Sequence, residues 1–288
     1  MCFQRIGYVL YLNKSMLNLS GTILLLSCFT LLLPVVSCAQ QKVEASSCNN
    51  QLIYPNADLD NFESPVVGNV RQIQIQETDL SEDTQSDLVK TINYNEQGKM
   101  TDTFLSDSKI KVFGKTLYSY DDKNRLIREV IYNPNGEAAS EKVFEYDSSG
   151  NLKRVITQNP QSKVVIWNKE FSYEPKKNYT ELFDKLHGYG FGFYKDEKCR
   201  ITELTSYKSD RTVTSKLLVQ YDDEKHVVEK TAYSPAGKII GKKQSEFQFD
   251  GQGNWIKQTK YEPSLVGENL VYKPVAVVNR KIIYFDKK

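Results

Sequence analysis

The sequence predicts an all-β fold, a meandering antiparallel sheet of repeated β-hairpins, open and curved, over residues 66–288. Three observations predict it. Apolar or aromatic residues recur two before, at and six after a set of anchors, Tyr94, Tyr120, Tyr146, Tyr173, Tyr221 and Phe249. Around each anchor the apolar residues alternate with polar ones, the period of a half-buried strand. Between these segments lie Asp147-Ser148-Ser149-Gly150, Asn133-Pro134-Asn135-Gly136 and Ser234-Pro235-Ala236-Gly237. Each has an acceptor side chain first and a glycine fourth, as a type I turn closing a hairpin through a bulge requires, with proline pre-setting φ in the last two.

Residues 1–37 hold two charges, Arg5 and Lys14, and an apolar run from Ile23 to Val36 that ends in Val35-Val36-Ser37-Cys38. The run is shorter than the roughly twenty residues of a membrane-spanning helix, so it reads as an export signal; Met16 is an alternative start to Met1. These residues resemble a bacterial lipoprotein signal with its lipobox. The resemblance implies that Cys38 is diacylated and begins the mature chain, and that Ala39, where an aspartate would hold the protein at the inner membrane, sends it to the outer membrane. Residues 38–65 are polar and aperiodic, a flexible tether.

The first strand is expected at Val70 to Gln76, followed by an acidic loop from Glu77 to Asp87. The repeats then run with anchor spacings of 26, 26 and 27 residues. A fifth copy has Lys195 at the anchor, with Phe193 and Ile201 keeping the frame. Just before it, from His187 to Phe193, glycines alternate with aromatic rings. On a strand this places glycines on one face and rings on the other, which fits either a small face packed under a neighbour or a stacking surface for a ligand. The interval from Glu262 to Asn279 reads as irregular, and Ile283-Tyr284-Phe285-Asp286 reads as a terminal cap strand without a return partner.

Removing the signal takes Arg5 and Lys14 from the 38 basic residues and leaves 36, equal to the acidic count. A balanced chain gives no electrostatic footprint for nucleic acid. Lipidation of Cys38 leaves Cys48 and Cys199 as a possible disulfide in an oxidising compartment, with two free thiols as the alternative. His187 and His226 have no partner at a metal-binding spacing, and no nucleophile elbow, phosphate loop or zinc motif occurs. No cofactor or metal is expected. The aspartates of the anchor turns, Asp121, Asp147, Asp196, Asp222 and Asp250, read as turn caps.

The anchor phrases resemble the YD repeat of RHS proteins, Tyr-Asp followed by Gly, a basic residue and Leu. Tyr120-Asp121 with Asn124-Arg125-Leu126, and Tyr146-Asp147 with Gly150-Asn151-Leu152, carry it best; Tyr221-Asp222 and Phe249-Asp250 are degenerate. In large relatives such hairpins wind into a shell around a toxin. This chain is far shorter, so an open meander is expected.

Rings outside the repeat frame are the candidate ligand contacts: Trp167, Tyr189 and Phe191. The expected function is that of a non-enzymatic, lipid-anchored envelope module that binds or scaffolds a protein or glycan. An immunity protein that inhibits a secreted effector is the alternative, and a hydrolase a distant third.

Overall fold

The computed structural model describes residues 66–80, 84–107, 111–222, 227–266 and 269–286. Cys38, Cys48, His226 and the signal and tether expected from sequence lie outside them. The described residues form sixteen strands: β1 (Val70–Asp79), β2 (Thr84–Tyr94), β3 (Met100–Ser106), β4 (Val112–Tyr120), β5 (Leu126–Tyr132), β6 (Ala138–Tyr146), β7 (Leu152–Gln158), β8 (Val165–Glu174), β9 (Tyr179–Asp184), β10 (Tyr189–Lys195), β11 (Ile201–Lys208), β12 (Val213–Tyr221), β13 (Val227–Tyr233), β14 (Ile239–Phe249), β15 (Trp255–Val266) and β16 (Asn269–Tyr284).

The sheet is a closed antiparallel barrel in which every strand pairs with its neighbours in sequence and β1 pairs with β16. This overturns the open, curved meander expected from sequence. Ile73 lies opposite Ile282, Ile75 opposite Arg280 and Glu77 opposite Val278, so the terminal strand has a partner, the first strand, and is no cap. Closure removes the two free edges that an open sheet would expose. The acidic loop is also shorter than expected, since β1 runs on to Asp79 and β2 begins at Thr84. The interval read as irregular forms the two longest strands, β15 and β16.

The turns form as their sequences dictate. Gly98, Gly136, Gly150, Gly237 and Gly253 have φ between +71° and +86°, and Asn124 and Cys199 occupy the same left-handed position in their own turns. At the head of four anchor turns an aspartate caps the backbone, among them Asp121, whose Oδ1 accepts from Lys123 N and Arg125 N, and Asp196, whose Oδ1 accepts from Lys198 N and Arg200 N; Asn95 does the same in its own turn. The basic residue of the motif has two tasks. Arg125 pairs with Asp121 at 2.7 Å and lies 4.5 Å over the Tyr146 ring of the next repeat; Arg200 pairs with Asp196 and lies 4.6 Å over Tyr221. Among the described residues the Tyr-Asp phrase is thus accounted for by hairpin chemistry and stacking between repeats.

Side chains alternate between the two faces of a strand, and the registers carry one face all the way round. Ile75, Lys90, Leu105 and Gly114 lie opposite one another across β1 to β4. Phe144, Val155, Lys169, Asp184 and Tyr189 do so across β6 to β10. This is the inner face. It holds the main apolar cluster, Phe144, Val155, Phe171, Leu182, Phe193 and Leu204 among others, with Tyr146 and Tyr173 packed against it. A second cluster, centred on Ile73 and Ile92, lines the seam where the barrel closes.

Candidate ligand-binding site on the inner wall

The three rings singled out by sequence converge. Trp167 on β8 and Tyr189 and Phe191 on β10 all face inward, because Phe171 lies opposite Leu182 and Leu182 opposite Phe191. The Trp167 and Tyr189 centroids are 6.2 Å apart at 74°, and those of Tyr189 and Phe191 5.6 Å apart at 80°. These are edge-to-face contacts of the kind aromatic quadrupoles favour. His187, in the β9–β10 turn, extends the row, 4.0 Å from the Trp167 ring. All three sequence-predicted rings are half-buried and keep part of their surface open.

Two polar groups border the rings. Asp184 ends β9 with 0% exposure. Its Oδ1 accepts from Leu186 N at 2.9 Å and His187 N at 3.2 Å, and lies 3.2 Å from His187 Nδ1. Its Oδ2 is buried without a hydrogen-bond partner among the described residues. Lys169 lies opposite Asp184 and 5.6 Å over the Trp167 ring. Burial holds the Lys169 ammonium below its usual pKa, and the Asp184 charge opposes that shift. A row of ring faces beside a carboxylate and an ammonium can stack a flat or CH-rich ligand face and hydrogen-bond its edge.

The alternating glycines serve the other face. A Cβ at Gly190 would lie 2.5 Å from the Tyr207 ring, and one at Gly192 would collide with Tyr179. Tyr207 and Tyr179, from β11 and β9, thus lie over a glycine groove on the outer wall. The small face packs under neighbouring rings, and the ring face is left for the interior.

Across the barrel, a cavity of about 650 Å³ opens between β13, β14, β15, β16, β1 and β2. Its floor includes Trp255, with the Arg280 guanidinium 3.5 Å over the ring. Two ion pairs line it: Lys260 meets Glu77 at 2.9 Å and Lys243 meets Glu262 at 3.0 Å.

The outer wall is strongly polar. Glu145 pairs with Arg154, Glu170 with Lys185, Glu181 with Arg211, Glu203 with Lys216 and Glu229 with Lys242, at 2.7 to 2.9 Å. Glu141 holds both Arg128 and Lys163. A barrel that spans a membrane needs an outward apolar band about 25 Å tall. Charged residues at mid-strand on β5, β6, β7, β11 and β13 interrupt any such band.

Sequence reasoning missed Asp184 and Lys169, which carry no local signal. For His187 the sequence showed no partner at a metal-binding spacing; in the fold its Nδ1 lies 3.2 Å from Asp184 Oδ1, the turn cap three residues earlier. Cys199 is disulfide-bonded; Cys48, the expected partner, lies outside the described residues. Among those residues no group of three His, Cys, Asp or Glu side chains could hold a metal ion.

No protein-family model matches the chain, and no curated protein does. Among solved structures, a porin-like protein from Bacteroides uniformis is similar at a TM-score of 0.38 and 9% identity, over 76% of this chain and 99% of that one. A porin-like protein from Bacteroides vulgatus is similar at a TM-score of 0.32 and 8% identity, over 75% and 98%. The Photorhabdus luminescens Tc holotoxin pore is similar at a TM-score of 0.28 and 11% identity, over 68% of this chain but 13% of that one. Likenesses of this size assign neither family nor function.

Proposed function

We propose that this chain is a YD-repeat-like, lipid-anchored binding module of the cell envelope. It is non-catalytic, it is held at the outer membrane through Cys38, and its ligand, a glycan or protein segment, lies against the inner wall of the barrel. The reading rests on one observation above others. Trp167, Tyr189 and Phe191, rings outside the repeat frame, meet on that wall beside an Asp184 oxygen that no group among the described residues satisfies. A buried, unpaired carboxylate oxygen is costly unless something donates to it, and open ring faces suit a stacked sugar or side chain. The charged outer wall supports a barrel that stands in water while its anchor holds it at the membrane.

The test is capture of the ligand from crosslinked envelopes by the native protein and by a Trp167→Ala, Tyr189→Ala variant. Capture is expected to fall several-fold while the melting temperature changes little; unchanged capture contradicts the site. The anchor is tested separately by metabolic acyl labelling, which Cys38→Ser should abolish.

A further inference from the structure

Exposed apolar residues gather at one end of the barrel. The anchor turns, with their aspartates, form one rim. The other rim is formed by eight hairpins, β1–β2 to β15–β16, of which β3–β4, β7–β8, β9–β10, β13–β14 and β15–β16 carry Phe113, Val164, Leu186, Ile240 and Leu265, exposed by 39%, 61%, 54%, 62% and 74%.

At this rim the β15–β16 hairpin parts from the strands on either side of it. The pairing of β14 with β15 ends at Gln244 and Tyr261, and that of β1 with β16 ends at Asp79 and Ala276. From Glu262 opposite Lys273 to Val266 opposite Asn269 the two strands pair only with each other. That ribbon runs roughly 15 Å beyond its last pairing with β14, at about 3.4 Å per residue, with Lys243 of β14 bridged to Glu262 at its base. Its two faces differ. Alternation places Tyr261, Pro263 and Leu265, opposite Pro274, Tyr272 and Leu270, on one face, without a charged residue, and Glu262, Ser264 and Val266, opposite Lys273, Val271 and Asn269, on the other, a mixed face. An isolated two-stranded ribbon is marginal in water, and one apolar face of this one has no covering strand.

We propose that this hairpin and the apolar rim around it are a bilayer-contact surface, so that the barrel stands with this rim on the membrane and the hairpin dips into the interface. Three features favour a lipid surface over a protein partner. Pro263 and Pro274 remove an N–H from each edge of the ribbon, which disfavours strand addition by another chain. Tyr261 and Tyr272 lie behind Leu265 and Leu270, the order in which an interfacial segment places amphipathic rings at headgroup level and apolar tips below. Several hairpins in one ring end in exposed apolar residues, so one flat surface meets them together.

The geometry is compatible with an anchor at Cys38. The chain from there to Val66 is roughly 90 Å long when extended, while a wall of ten-residue strands is no more than about 35 Å tall; the anchor can therefore start from the opposite rim. In this orientation the wall of Trp167, Tyr189 and Phe191 opens toward the bilayer and faces ligands that the membrane displays. That consequence rests on the binding reading above, while the contact surface itself does not.

The experiment uses the lipidated full chain reconstituted in vesicles of phosphatidylethanolamine and phosphatidylglycerol. An environment-sensitive fluorescent amino acid is placed at position 265, or in a second protein at position 97 on the anchor-turn rim. A blue shift and quenching by lipid-borne nitroxides at 265, with neither at 97, is the expected result; solvent-like emission at both overturns the proposal. In the unlipidated Cys38→Ser chain, Leu265→Asp with Leu270→Asp should lower vesicle binding about tenfold or more, the loss of two apolar anchors. If the same change instead dissolves a dimer seen by sedimentation and leaves vesicle binding unchanged, the rim joins two copies and the proposal is wrong. Loss of acyl label from the native protein would refute the anchor without touching either fluorescence result.

Discussion

The hydroxyl of Tyr146 donates to the backbone carbonyl of Leu126, 2.8 Å away and one repeat earlier. The bond recurs in the same frame: Tyr173 donates to Leu152 at 2.6 Å and Tyr221 to Ile201 at 2.8 Å. Each of these three tyrosines thus ties its hairpin to the returning strand of the hairpin before it. Burial raises these phenols above their usual pKa, Tyr221 to about 12, so the donor proton stays in place across the physiological range. Tyr284 has the same role at the seam, donating to Asp250 while Asn254 Nδ2 donates to its hydroxyl at 2.8 Å.

Removing one of these ties should cost the value of one buried hydrogen bond. Tyr146→Phe is expected to destabilise by about 0.5 to 1.5 kcal/mol, read from denaturant midpoints. The converse is more discriminating. Phe249 is the anchor without a hydroxyl, and Phe249→Tyr places one where the frame predicts the Val227 carbonyl. A stability gain of about 0.5 to 1 kcal/mol is expected, and a loss would show that the frame does not extend across this repeat.

The glycine groove makes a second prediction. Gly190→Ala forces a methyl against the Tyr207 ring and should cost about 1 to 3 kcal/mol, as overpacking does. Gly251→Ala, with nothing within 4 Å, should be close to neutral. The double variant Gly190→Ala, Tyr207→Ala should recover part of the loss in a thermal melt.

Acid stability should report on Glu141. Hydrogen bonds from Lys163, then Gln158, then Arg128 lower its pKa from 4.5 to about 2. Its folded pKa lies below its unfolded value, so its stabilising effect is complete above about pH 4.5 and is lost as pH falls toward 2. Glu141→Gln should therefore melt lower than the native chain at pH 7. The difference should shrink between about pH 4.5 and 2, and a difference that is constant with pH would contradict the assignment.

The disulfide at Cys199 predicts that a thiol-alkylating reagent leaves this residue unlabelled in the denatured, unreduced chain and labels it after reduction. Cys199 has φ of +63°, a conformation that Asn tolerates. Cys199→Asn should then behave in melts like the reduced native chain, with no added backbone penalty.

The period, the turns and the anchor frame were legible because they are local: an Asp or Asn caps its own turn, and Gly98, Gly150 and Gly253, each four residues after an anchor, accept positive φ. Closure was not legible. It depends on Ile73 meeting Ile282, and a repeat of 26 residues says nothing about how many strands complete a ring. The terminal Ile283-Tyr284 therefore resembled a cap until its partner was known. The site divides in the same way. Trp167, Tyr189 and Phe191 stood out because they depart from the frame, whereas Asp184 and Lys169 join them only through the registers of β8, β9 and β10. The irregular stretch after Glu262 misled because its prolines read as breaks; they lie on the outer edges of a ribbon, where no ladder bond is lost.

A ligand that lies inside the barrel, against the aromatic wall, comes within reach of a crosslinker placed there. Site-specific photocrosslinking in intact cells tests this placement most directly, with a benzophenone amino acid in place of Phe191 on the inner wall and, in a second strain, of Val143 on the outer wall. A discrete adduct from position 191, diminished by Trp167→Ala, and none from 143 is the expected result. An adduct from position 143 with none from 191 would contradict the placement.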